Sequence, residues 1–219
     1  SGWESAAGEL IGYVLTSPFW GPHAAVDQGY DVPGYFNRCP YGDGCPGLMQ
    51  IGGYDHPPND LTRLDVEYAF DFDDLERMGG RLLWEDCCRL GVDASLNYFQ
   101  EDLPAGDDDL WLGDANVVFR FAQSETFIMR AGVGVNWMAD RRRGDAGINF
   151  TYGADWLPAD PLVFSTEFDA GTLGDAGLFH GRATVGVVQN QVEIYTGYDY
   201  YNIGGNGLGT FIAGLRVWF

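Results

Sequence analysis

Lysine is absent from this chain of 219 residues; all 12 basic side chains are arginine, set against 32 acids, for a formal net charge of −20. That balance excludes nucleic acid as a partner, because binding there rests on neutralising phosphates with cations. Long apolar runs are missing as well. The longest uncharged N-terminal stretch, Leu10 to Val26, is interrupted by Pro18 and Pro22. A membrane-spanning helix needs about 20 consecutive apolar residues, so a helical membrane protein is excluded. The chain opens Ser1-Gly2-Trp3-Glu4, with no basic region leading into an apolar core, and so reads as processed or as never having carried a signal. What is plentiful is apolar and aromatic surface, at 46% and 15%, which excludes disorder for the bulk of the chain. Glycine is abundant too, at 32 residues, and favours strands and turns over helices.

Cysteine is scarce, at four residues. Cys39 and Cys45 bracket a loop of turn formers, Cys-Pro-Tyr-Gly-Asp-Gly-Cys, which predicts a local disulfide and an oxidising compartment. A zinc site is the weaker reading, since His56 is the only nearby further ligand. The adjacent Cys87 and Cys88 leave three states open: a strained vicinal bridge, free thiols or cross-pairing.

Proline divides the chain. Residues 1–63 hold seven of the ten prolines and show no long period. They read as an irregular N-terminal extension, with one strand or short helix over Leu10–Phe19, serving as a surface arm, a plug or a docking arm. From Leu64 to Phe219 the pattern becomes apolar/polar alternation. Ten strands are predicted, at 64–72, 80–86, 89–100, 111–122, 127–138, 146–157, 162–170, 178–188, 192–201 and 209–219. Eight is the alternative if residues 64–86 do not complete a hairpin.

Alternate residues of a strand point to opposite faces. One parity carries no charge, as in Leu64, Val66, Tyr68, Phe70 or Phe127, Met129, Ala131, Val133, Val135, Trp137. The other carries every strand charge. A soluble barrel, such as a ligand-binding one, would bury the first face and wet the second. A membrane barrel does the reverse. Three features favour the membrane. The polar face mixes arginine and carboxylates with Gly, Asn, Ser and Thr rather than with lysine. Aromatics (Trp84, Trp111, Trp137, Trp156, Tyr152, Tyr198, Tyr200) gather near strand ends, as interfacial girdles do. Short connections at 123–126, 157–161 and 189–191 alternate with longer ones at 101–110, 139–145, 171–177 and 202–208.

The last strand ends Phe211-Ile212-Ala213-Gly214-Leu215-Arg216-Val217-Trp218-Phe219. A terminal Phe219 in phase with Val217, Leu215 and Phe211 resembles the C-terminal assembly signal of bacterial outer-membrane β-barrel proteins. The resemblance covers residues 64–219. It implies an all-β fold, a transmembrane antiparallel up-and-down barrel of about ten strands. It also implies contact with outer-membrane lipid, handling by the barrel-assembly machinery, and an N-terminal extension on the periplasmic side.

The proposed lumen face holds six arginines (Arg81, Arg89, Arg120, Arg130, Arg182, Arg216). Its eleven acids are Asp65, Glu67, Asp71, Glu85, Asp93, Asp114, Asp155, Glu167, Asp169, Glu193 and Asp199. Buried charges must be paired, so an ion-paired, closed core is expected. The excess of carboxylates leaves a narrow cation-preferring pore as the alternative. Among strand residues of the polar face only His180 could act as a base, with Ser165, Glu167 and Asp169 on the preceding strand, so an outer-membrane hydrolase is a further alternative. The chain is otherwise read as a non-enzyme with no cofactor. Acidic runs at Asp71-Phe72-Asp73-Asp74 and Asp107-Asp108-Asp109 can hold Ca²⁺ or other divalent ions, though neither has EF-hand spacing. The basic run Arg141-Arg142-Arg143 could pair with that rim or with lipid phosphate. The expected role is structural: a scaffold or anchor that docks a protein partner or a sister subunit through residues 1–63.

Overall fold

The computed structural model describes residues 16–28, 34–52, 59–71, 75–101, 108–140 and 144–219. Ten strands form the wall: β3 (Asp60–Phe70), β4 (Leu75–Asp86), β5 (Leu90–Glu101), β6 (Asp108–Gln123), β7 (Phe127–Asp140), β8 (Gly144–Ala159), β9 (Leu162–Leu173), β10 (Ala176–Gln189), β11 (Val192–Ile203) and β12 (Asn206–Trp218). Each pairs antiparallel with its sequence neighbour, and β12 closes on β3 with Arg216 opposite Asp65. The count is ten, because residues 60–86 make a full hairpin with Leu64 opposite Leu82. No described helix is long and apolar enough to cross a membrane.

The predicted parity is the wall's inside and outside. Val66, Val133 and Ile148 are 66%, 65% and 71% exposed, while Arg63 and Asp65 are each 2% exposed. Trp84 and Trp156 ring the outside near one rim, and Trp111, Tyr198 and Tyr200 near the other. A wall that is apolar outside and ionised inside is matched to lipid, since unpaired backbone groups vanish on closure and no charge faces acyl chains.

The strands run further than alternation alone predicted. The expected long connections over 171–177 and 202–208 are two-residue turns, at 174–175 and 204–205, because Gly171 still pairs with Leu178 and Asn206 with Ile203. Gly174 and Gly204, at φ +58° each, supply the left-handed backbone those turns need. Inside the wall, a side chain at Gly134 would strike the Ala115 carbonyl, so glycine lets β6 and β7 approach there.

The extension is ordered rather than irregular over the described residues. Residues 16–26 form a helix, α1, lying against the outside of the wall. Phe19 packs edge-on or tilted against Phe121, Phe150 and Tyr152, with ring centroids 5.5–6.4 Å apart. Pro22 cannot donate the helical hydrogen bond to the Pro18 carbonyl; the Tyr152 hydroxyl donates to it instead, at 2.6 Å. After α1 the chain turns in at the rim. Asp27 pairs with Arg89 at 3.0 Å and accepts from the Gln123 N–H at 2.9 Å. A hairpin of β1 (Gly34–Phe36) and β2 (Met49–Ile51) then fills the mouth at the short-turn end. Phe36, Leu48 and Met49 are fully buried there against Leu61, Ile128, Leu157, Val163, Val188 and Trp218. The Arg120 guanidinium lies 4.7 Å from the Phe36 ring centre. Tyr41, between the two strands, donates its hydroxyl to the Leu162 carbonyl, and desolvation pushes its phenol up to about 12. Over the described residues, then, α1 lies on the outside of the wall and the hairpin sits in its mouth. The rest of the Leu10–Phe19 element lies outside the described residues.

The expected Cys39–Cys45 disulfide is not formed. None of the four cysteines is bridged, and the Cys45 thiol donates to the Met49 carbonyl at 2.9 Å. The hairpin is held instead by apolar burial and main-chain bonds to the wall, such as Leu48 N–H to the Glu125 carbonyl at 3.0 Å.

A charge on the outer face has no partner in lipid. Val133→Arg, in mid-strand, is expected to destabilise the barrel by about 2–4 kcal/mol. Urea-dependent folding into lipid vesicles, read by heat-sensitive gel mobility, measures this; an unchanged midpoint would contradict a lipid-facing wall.

Candidate functional site

The lumen is where the charges converge. Arg63 and Arg77, which lie outside the predicted strands, project inward with the expected Arg81, Arg120, Arg130, Arg182 and Arg216. They sit on the parity of Asp65 and Arg81, so carrying the alternation two to four residues upstream of Asp65 and Arg81 would have found them. Arg89 is a correction. It occupies the β4–β5 turn with φ +72° and pairs with Asp27 at the rim, because the strand ends one residue short of it. Asp71 is likewise at the opposite rim, next to the end of β3.

Near the plug, guanidinium and carboxylate alternate in one chain. Glu85 is held by Arg120 (3.1 Å) and Arg130 (3.0 Å), and Asp155 by Arg130 (2.8 Å) and Arg63 (3.2 Å). Asp65 is held by Arg63 (3.5 Å) and Arg216 (3.0 Å), and Glu193 by Arg216 (2.9 Å) and the Trp218 indole N–H (3.1 Å). Higher up, Glu67 takes Arg182 (2.5 Å) and Arg77 (2.8 Å), and Asp199 takes Arg77 (2.5 Å) and His180 (2.5 Å). Arg81 holds both Asp93 and Glu167. Asp114 takes the neutral donors Ser95 and Asn116.

Two of these links span the bore. In the closed strand order, β3 lies opposite β8 and β4 opposite β9. Arg63–Asp155 and Arg81–Glu167 therefore join facing walls directly. Arginine suits this work because its planar fork binds two carboxylates at once.

The hydrolase arrangement is not assembled. Ser165 stands opposite Thr184 and His180 opposite Asp169. Ser165 donates to Asp155 at 2.6 Å and accepts from Arg216 at 3.1 Å. Both His180 nitrogens are committed, one to Asp169 (2.7 Å) and one to Asp199 (2.5 Å), and its ring stacks on Tyr201 at 4.1 Å. Neither His180 nitrogen is therefore directed at Ser165. Glu167, Asp169 and His180 bring ligand atoms within 4.8 Å of one another, but Arg81 and Asp199 already engage this set. Of the acidic and basic runs, residues 72–74, 107 and 141–143 lie outside the described residues. Phe211, Leu215 and Phe219 of the terminal row point outward and are exposed, while Val217 is half-buried.

Removing one member of a buried pair costs more than the pair contributes. Asp155→Asn leaves Arg63 and Arg130 short of charge and is expected to lower stability by about 3–5 kcal/mol. Denaturant titration in detergent micelles measures it; a loss below about 1 kcal/mol would mean that water screens the lumen.

No family model and no curated protein matches this sequence. Among solved structures the chain is similar to the outer membrane protein Ail of Yersinia pestis, at 14% identity over 73% of this chain and 99% of that one, TM-score 0.40. It is similar to OprG from Pseudomonas aeruginosa at 10% identity over 74% and 96%, TM-score 0.40. It is similar to the KdgM porin at 8% identity over 72% and 99%, TM-score 0.34. These likenesses concern the fold. The wall itself, closed from ten antiparallel strands, apolar outside and ionised within, has the architecture of a transmembrane β-barrel.

Proposed function

We propose that this barrel is a closed structural element of the outer membrane, a scaffold or anchor rather than a conduit. The observation that carries the reading is the direct bridging of opposed strands by Arg63–Asp155 and Arg81–Glu167. A hydrated ion would have to displace guanidinium from carboxylate in a dry bore, which is costly. The hairpin at the short-turn mouth adds a second barrier in series. Partner docking remains part of the proposal, but it falls to the outward faces of the extension. The inward faces of α1 and the hairpin are occupied by the barrel's own wall, while Trp20 stays half exposed. The assembly machinery would read the outward row ending in Phe219.

Planar-bilayer recording tests this. The full-length protein is expected to show no discrete conductance steps, and deletion of residues 34–52 is expected to leave it silent, since the cross-lumen pairs remain. Cation-selective steps from the intact protein would establish the pore reading instead. Steps appearing only after the deletion would make the hairpin, not the ion pairs, the barrier.

A further inference from the structure

Two polar bonds seat α1 on the outer face of the wall. The Tyr152 hydroxyl donates to the Pro18 carbonyl at 2.6 Å, and the His23 Nδ1–H donates to the Phe121 carbonyl at 3.1 Å. Phe121 is the extra residue of a bulge in β6, skipped where the register with β7 shifts between Arg120 and Ala122. On a lipid-facing wall the carbonyl of a bulged residue needs a donor, and His23 supplies one. The wall therefore sets the place of α1, and with it the place of Phe19, which packs on Phe121, Phe150 and Tyr152.

Beside the helix the wall carries a groove. Phe19 forms one side, and Leu90, Val117, Phe119, Val133 and Phe150 form the rest, around a space of about 320 Å³. Ala131 makes the dent. It points outward on β7 between two larger neighbours, Phe119 opposite it on β6 and Tyr152 opposite it on β8. None of the lining residues is charged. The groove lies on the parity that faces the bilayer, and Leu90, the first residue of β5, places it in the half of the wall nearer the hairpin. It is continuous with the lipid-facing surface on either side.

What meets such a groove is hydrocarbon. Lipid tails are as apolar as leucine, so exclusion from water does not drive a chain into it, and packing decides instead. On the plain wall a chain touches protein along one side. In the groove it meets the floor at Ala131, the rings of Phe119 and Phe150, and Phe19 of the helix. We propose that this groove seats one acyl chain of a bilayer phospholipid, held between Phe19 and the wall at Ala131. The lining offers a headgroup no charge, so the selection is made on the chain. The inference goes beyond the scaffold reading and does not depend on it, since a closed lumen and a pore would share this outer face.

The test uses the full chain in lipid nanodiscs that contain a trace of phospholipid with a diazirine midway along one acyl chain, in phosphatidylcholine and phosphatidylglycerol forms. After irradiation the labelled peptides are mapped by mass spectrometry. Labelling over 117–121 and 131–133 is expected to exceed that at the outward positions of β10 and β11 about tenfold, the worth of about ten extra carbon contacts. The two headgroup forms should label alike. Ala131→Phe should fill the dent and bring the groove down to the level of β10 and β11; if heat-sensitive gel mobility shows that it does not fold, Ala131→Leu takes its place. Even labelling over the whole outer wall would overturn the proposal, as would labelling that follows the headgroup, or a folded, filled variant that labels as the native chain does. p-Benzoylphenylalanine at Val133 checks for protein in the groove: a cross-link to residues 1–15 or to a second copy of the chain would overturn it too.

Discussion

The rest of the molecule depends on guanidinium meeting carboxylate inside a wall that lipid surrounds. Ten strands present an apolar outer face, so the charged side chains along their middle stretches turn inward. Charge crowded into a narrow bore must be neutralised in place. Arginine does this by bridging: Arg130 joins Glu85 to Asp155, Arg63 joins Asp155 to Asp65, and Arg216 joins Asp65 to Glu193. Lysine, a point charge on a flexible stem, could not splice carboxylates in a row with the same geometry. The missing lysine and the filled lumen are two views of one constraint.

The ends of the bore are handled by different physics. At one end, the hairpin supplies Phe36, Leu48 and Met49 to a dry cluster. Each such side chain contributes about 1.5–3 kcal/mol of burial. At the other end the wall's own residues turn apolar and stop short of closing, which leaves a cup. The barrel is thus polar at its waist and apolar at both mouths.

Much of this was legible in the sequence. Strict alternation gave the strands, their faces and the count of ten, because a one-residue slip would have put a charge into lipid. The strand ends were less legible. Arg63 and Arg77 fall where Leu61 and Leu75 put apolar side chains on the inward parity, so the pattern there no longer looks ionised. Helix α1 was hidden by Gly21-Pro22, a pair that argues against a helix; Tyr152, 130 positions later, makes it tolerable by capping the stranded carbonyl. The His180 alternative failed on register. Ser165 and His180 share a face but sit four positions out of step across β9 and β10. Spacing along a chain does not fix that offset; the turn between the strands does.

The seam between the first and last wall strands has a consequence for biogenesis. Asp65 and Arg216 face each other there across 151 positions of sequence, and Thr62 and Phe219 exchange two main-chain bonds at the same edge. Until β12 arrives, Asp65 has only Arg63, and Glu193 has no guanidinium among its described contacts. A nascent sheet would therefore carry an under-neutralised stripe that the bilayer interior rejects. Closing the seam between β3 and β12 is thus the step that brings Arg216 to both carboxylates at once.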